Sequence, residues 1–115
     1  MDTVLLISLM VMHYLGDFIF QPHDMGSNKY KKGVEFWSHM GIYGTTLFVF
    51  AFFWSINPWW AVTNLLLHGS TDAITSVMAH NYSEQKKYRE FFLTIGADQS
   101  IHMICMIGTL PAFLN

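Results

Sequence analysis

Residues 3–20 read TVLLISLMVMHYLGDFIF, an apolar stretch broken by two ionisable side chains, His13 and Asp17. Its length matches the roughly 20 residues that a helix needs to cross the hydrocarbon core of a bilayer. His13 and Asp17 are four residues apart, just over one helical turn, so both project from one face. The same spacing returns in His68 with Asp72 and in Asp98 with His102, and a further apolar segment carries His39. Ionisable groups inside membrane-length helices are costly. They face a bundle interior or a water-filled cavity, where they serve transport, proton transfer or ligand binding.

Working outward from that stretch, spans are expected near 3–20, 36–55, 58–78 and 91–114. The predicted fold is an all-α, four-transmembrane-helix bundle forming a single integral membrane domain over residues 1–115. Pro22 and Gly26 end the first span, and Asn57-Pro58 makes a tight turn between the second and third. Trp37, Trp54, Trp59, Trp60, Phe91 and Phe92 fall near span ends, as interfacial anchors should. Ser83 reads as the N-cap of a short helix over 84–90, which would lie at the membrane surface or form a solvated turn.

Composition agrees with a membrane protein. Charged residues are only 12% of the chain against about 25% in soluble domains, while 52% are hydrophobic and 17% aromatic. A net charge of −2 gives no footprint for nucleic acid, so the expected partner is the lipid bilayer, with a homo-oligomer or a membrane-protein partner as further candidates. Cys105 is the only cysteine, which excludes an intrachain disulfide and a multi-cysteine zinc site. The N-terminus has neither a basic leader nor a small-residue cleavage site, and is read as a retained helix.

Lys29, Lys31 and Lys32 lie in the first connector and Lys86, Lys87 and Arg89 in the third. By the positive-inside rule both connectors are cytoplasmic, and both termini and the Asn57-Pro58 turn lie outside. Counting back from the connectors, Asp17, His39, Asp72 and Asp98 sit about 5–10 Å deep and His13, His68 and His102 about 10–15 Å deep. All seven fall in the cytoplasmic half, which points to one shared cavity.

Polar rows extend the pairs. Asn64, His68, Thr71, Asp72 and Thr75 follow helical spacing, as do Asp98, His102, Cys105 and Thr109, and His13, Asp17 and Gln21. Gly41, Gly44, Gly69 and Gly96 would let helices approach closely. Imidazole and carboxylate together suit zinc, iron or manganese, and helical bundles build such sites from inward-facing side chains. His13, Asp17, His39, His68, Asp72, Asp98 and His102 are therefore the candidate ligands of one or two divalent transition metal ions. Gln21, Asn64 and Gln99 are candidates for orienting them. The competing readings are a proton relay and a set of hydrogen-bonded pairs that only hold the helices together. His23, Asp24 and His80 fall in connectors and are read as solvated, and Cys105 as packing.

His13-Tyr-Leu-Gly-Asp17-Phe-Ile-Phe-Gln21, Ser38-His39, His68-Gly-Ser-Thr-Asp72 and Asp98-Gln99-Ser-Ile-His102 occur in that order over nearly the whole chain. This pattern resembles a family of small bacterial and phage integral membrane proteins catalogued as domain of unknown function 3307, and is distantly similar to membrane-bound metal-dependent hydrolases. The resemblance implies a multi-pass protein of the bacterial inner membrane and supports the eight residues His13, Asp17, Gln21, His39, His68, Asp72, Asp98 and His102 as its signature. It assigns them no roles.

The function expected on these grounds is a metal-dependent membrane hydrolase whose site opens to the cytoplasmic side and acts on a lipid or lipid-linked ester or phosphoester. Histidines would be ligands, and Asp72 or Asp98 the catalytic base. The alternatives are an ion or proton transporter, and a small membrane interaction or inhibitor protein with a structural polar core.

Overall fold

A computed structural model of the chain describes residues 2–22, 25 and 28–114. His23, Asp24 and Gly26 lie outside the described residues, and with them the reading of Gly26 as a helix terminator and of His23 and Asp24 as solvated. Every regular element among the described residues is helical. Helix α1 spans Thr3–Tyr14, where the Asp2 carboxylate caps the N-terminus by accepting the Val4 N–H at 2.9 Å. It runs on without a break into a π-helical turn over Leu15–Ile19, closed by the Phe20 N–H donating to the Leu15 carbonyl at 2.8 Å. A 3-10 turn at Lys29–Lys31 precedes α2 (Val34–Phe53), α3 (Pro58–Glu84) and α4 (Tyr88–Phe113).

The two tight turns use the same device. At the end of α2, Ser55 takes a left-handed φ of 54°, and the N–H groups of Ile56 and Ser55 donate back to Ala51 and Phe52. At the end of α3, Lys86 has φ 57°, and Lys87 and Lys86 donate to Tyr82 and Ser83. Both patterns satisfy the orphan carbonyls of a helix C-terminus. The second overturns the expected helix over 84–90: the Ser83 carbonyl closes the last turn of α3, so Ser83 cannot begin a new helix, and α4 starts at Tyr88 instead. Asn57-Pro58 starts α3 as expected, with the Asn57 side chain accepting the Trp59 N–H at 3.0 Å and Pro58 in the first turn. The Asn57 N–H also donates to the Phe113 carbonyl, which ties the end of α4 to this turn.

Among the described residues, length and composition single out two helices able to cross a membrane, α2 and α4. The expected set of four spans is reduced accordingly. The apolar segment Thr3–Ile19 is shorter than a full span, and the 27-residue α3 is diluted by its own polar row.

Toward the Asn57 turn the interior is an apolar layer of Leu5, Leu9, Leu47, Phe50, Trp60, Met106 and Leu110. Trp60 belongs to this layer rather than to an interfacial belt. It is fully buried and its indole Nε1 donates to the Met106 carbonyl at 3.2 Å, whereas Trp37, Trp59 and Phe92 are exposed at helix ends. Close helix approach uses Gly44, where a Cβ would stand 3.0 Å from Leu65, and Gly69, where it would strike the Met40 methyl. Gly41 and Gly96 face open space, and Gly16, against the Tyr43 ring, makes the third tight contact.

Candidate metal centre

The seven candidate ligands come from all four helices and the π turn, and the structure brings them together as one buried group. On α2, His39 and Tyr43 are one turn apart and face inward; on α3, His68 and Asp72 repeat that spacing; on α4, Thr94, Asp98, His102, Met106 and Leu110 form the buried stripe. The π turn carries Asp17 into the centre, where it is 2% exposed. π turns are rare and concentrate at functional sites.

At the heart of the group are four atoms from three separate segments: Asp17 Oδ1, His39 Nε2, His68 Nε2 and Asp72 Oδ2. The two imidazole nitrogens are 3.0 Å apart. His39 Nε2 is 3.2 Å from Asp17 Oδ1 and 3.1 Å from Asp72 Oδ2, and His68 Nε2 is 3.8 Å and 3.3 Å from the same two oxygens. Metal–ligand bonds of about 2.0–2.2 Å give a tetrahedron with edges of about 3.3–3.6 Å. The observed separations bracket that value. Asp17 Oδ1, although buried, has no hydrogen-bond partner among the described residues, and it points at the middle of this group.

Around this core the polar groups divide into those that are satisfied and those that are not. His13 is satisfied: its Nδ1 is 2.5 Å from the Tyr43 hydroxyl and its Nε2 is 2.5 Å from Gln99 Oε1. The Gln99 amide nitrogen donates to Asp17 Oδ2 at 2.7 Å and to Asp98 Oδ2 at 3.1 Å. With both amide hydrogens committed to carboxylates, Gln99 Oε1 must accept from His13 Nε2–H, and the free lone pair on Nδ1 accepts from Tyr43. His13 thus braces Asp17 through Gln99, and it also stands with Asp17 and His102 at a spacing that could hold a metal ion. His102 is the opposite case. It is 3% exposed, its Nε2 lies 3.4 Å from Asp98 Oδ1, and neither ring nitrogen has a hydrogen-bond partner among the described residues.

Gln99 therefore does orient site residues, and Thr75 adds a hydroxyl donated to Asp98 Oδ1. Asn64 does not touch the group: its amide donates to the Trp60 carbonyl and to Thr109 Oγ1, pinning α3 to α4 in the adjoining layer. Gln21 lines the cavity beside the site. Two participants escape a reading by motif. Tyr43 stacks on His68 and bonds His13, and its place one turn after His39 was the available signal. Lys29, counted in the sequence only for topology, has its Nζ 3.1 Å from Asp72 Oδ2.

A cavity of about 650 Å³ leads to the group from the end that carries Lys29, Tyr30 and the α3–α4 turn. Asp17, Asp72, Asp98 and Gln99 form its polar floor, and Phe18, Phe91 and Ile95 contribute apolar wall. Three carboxylates against one ammonium leave this buried site two charges short of neutrality when all are ionised, a deficit that one divalent cation would cancel.

No curated protein and no solved structure matches the chain. One family model does, over residues 5–113, and it takes in every residue of the site. The chain belongs to the family described as protein of unknown function, DUF3307.

Proposed function

We propose that this chain is an integral membrane, metal-dependent hydrolase that binds a divalent transition metal ion through Asp17, His39, His68 and Asp72. The observation that carries the reading is the convergence of those four donor atoms at tetrahedral edge lengths, with a buried carboxylate oxygen among them that accepts no well-aligned hydrogen bond from the described residues. An ion held there would act as a Lewis acid beside the cavity, and would polarise an ester or phosphoester oxygen or activate a water once its coordination expands beyond the four protein atoms. Asp98, which lines the cavity, and His102 behind it are the groups left to take or give a proton, and the Lys29 ammonium in the wall suits an anionic headgroup. With Asp72 in the four-atom group, Asp98 is the better candidate for catalytic base.

The membrane assignment is supported by the placement of the apolar residues. Only 39% of the apolar window in α2 and 22% of that in α4 is buried, so most of their hydrophobic surface points outward. Phe52, Phe53, Leu66, Ile74 and Ile104 are among the exposed side chains, apolar surface that lipid would cover. In this reading α1 and α3 complete a four-span bundle in a bacterial inner membrane. The basic connectors and the mouth of the cavity lie at one end, cytoplasmic by the positive-inside rule, and the natural substrate class is a lipid or lipid-linked ester or phosphoester.

Transport is disfavoured by the apolar layer around Trp60, Leu47 and Leu110, which lies between the polar group and the opposite end of the bundle. A purely structural polar core is disfavoured too, because such a core hydrogen-bonds its buried polar atoms, and here Asp17 Oδ1 and both nitrogens of His102 make only loose contacts of 3.2–3.9 Å with opposite groups and no well-aligned hydrogen bond among the described residues. The test is metal analysis of protein purified in detergent. Wild type is expected to hold stoichiometric transition metal and His68→Ala to lose it. A wild type that neither contains nor binds such a metal at neutral pH refutes the proposal.

A further inference from the structure

The four-atom group leaves part of the site unexplained. Asp72 contributes only Oδ2 to it, and its other oxygen, Oδ1, faces His102 Nε2 at 3.9 Å. His102 Nε2 is in turn 3.4 Å from Asp98 Oδ1. A buried imidazole nitrogen with no hydrogen-bond partner among the described residues, aimed between two carboxylate oxygens, is an incomplete contact. The third combination with suitable spacing, His13, Asp17 and His102, is closed because both nitrogens of His13 are already bonded to Tyr43 and Gln99.

We infer that Asp72, Asp98 and His102 hold a second divalent cation, with the Asp72 carboxylate bridging it to the ion bound by Asp17, His39 and His68. This inference rests on the metal-dependent reading above and deepens it. The first site is closed by four protein atoms, whereas the second has three and keeps coordination positions open on the cavity side, where Asp72 and Asp98 form the floor. A closed site beside an open one is a division between positioning and reaction. The second donor set, two carboxylates and one imidazole, is richer in oxygen than the first and favours manganese or iron over zinc. Its carboxylates are also held: Asp98 accepts from Thr75 and Gln99, and Asp72 from Lys29.

The consequence for substrate class is electrostatic. Loading both sites converts a deficit of two charges into an excess of two, which a phosphoester anion together with hydroxide would neutralise and a neutral carboxylic ester would not. Paired ions clamping the attacking and leaving oxygens are the usual arrangement for phosphoester displacement. Asp98 then serves as a ligand instead of the proton acceptor.

The experiment is a Mn2+ titration of the metal-stripped full chain in detergent, read by bound-ion stoichiometry and by electron paramagnetic resonance. Wild type is expected to bind two ions per chain with an exchange-coupled signal, and Asp98→Asn to bind one ion with an uncoupled signal. One ion per wild-type chain overturns the second site and leaves the four-atom site standing. Two ions in both proteins overturn the ligand assignment, and none in wild type overturns both readings. The wild-type stoichiometry decides the matter even if Asp98→Asn fails to fold.

Discussion

Tyr43 lies flat against His68, with ring centroids 3.7 Å apart and planes within 6° of parallel, while its hydroxyl reaches His13 on another helix. One side chain thereby sets the tilt of a proposed ligand and satisfies the remaining nitrogen of a supporting histidine. Tyr43→Phe keeps the stack but strands His13 Nδ1, and is expected to lower stability by about 1–3 kcal/mol with metal content intact. Tyr43→Leu removes the stack as well, and metal affinity is expected to fall about 10–100-fold, the range for residues that orient a ligand. Thermal unfolding in detergent and a metal titration separate the two effects. Equal metal affinity in all three proteins would show that the stack does not position His68.

Chelation should destabilise the wild type and leave ligand variants indifferent. An ion bound only by the folded chain stabilises it by about 2.7 kcal/mol when present at 100 times its dissociation constant. The expected result is a clear fall in unfolding temperature when a chelator is added to wild type, and no shift for His39→Ala. A wild type equally stable with and without chelator would point to a polar core that serves assembly alone.

Gln99 is the residue whose loss should propagate furthest. Among the described residues it alone joins His13, Asp17 and Asp98 by direct hydrogen bonds. Gln99→Leu preserves bulk but removes all three contacts, at an expected cost of about 1–3 kcal/mol for each buried group left unpaired. Gln99→Glu is expected to be worse for Asp17 and Asp98, because it sets a third carboxylate against two others. Stability ranked as wild type, Gln99→Leu, Gln99→Glu checks the assignment, and the reverse order of the two variants contradicts it.

The bilayer orientation is testable with single cysteines in a Cys105→Ser background. Lys31 and Pro58 are exposed and stand at opposite ends of α2. A membrane-impermeant thiol reagent applied to intact cells should label position 58 and spare position 31. Labelling of 31 alone would invert the topology, and labelling of both would remove the four-span arrangement.

How much of this was legible beforehand depends on the physical scale of each feature. The i, i+4 spacing of His13/Asp17, His68/Asp72 and Asp98/His102 placed each pair on one face, and the folded chain gathers all three pairs with His39. Periodicity within one helix does not show how neighbouring helices are rotated, so it could not tell that His13 would be capped on both nitrogens while His102 would be left open. Helix ends were less legible. Left-handed Lys86 and Ser55 carry the capping conformation usually given to glycine, and neither residue type announces it. Trp60 was misplaced because a tryptophan near a span end reads as an anchor until the packing of α3 on α4 shows its indole turned inward.

The π turn at Leu15–Ile19 makes this region sensitive to deletion in a way that substitution does not reveal. Ile19 points outward, so replacing it should be nearly silent in a scan of single substitutions. Removing one residue from the same turn is a different perturbation. The helix would close to 3.6 residues per turn, which takes up most of the rotation but draws the residues on either side of the cut about 1.5 Å closer along the axis. His13 and Asp17, which now meet Gln99 together, could no longer do so at once. The spacing of this segment is therefore under stricter constraint than the identity of most residues in it.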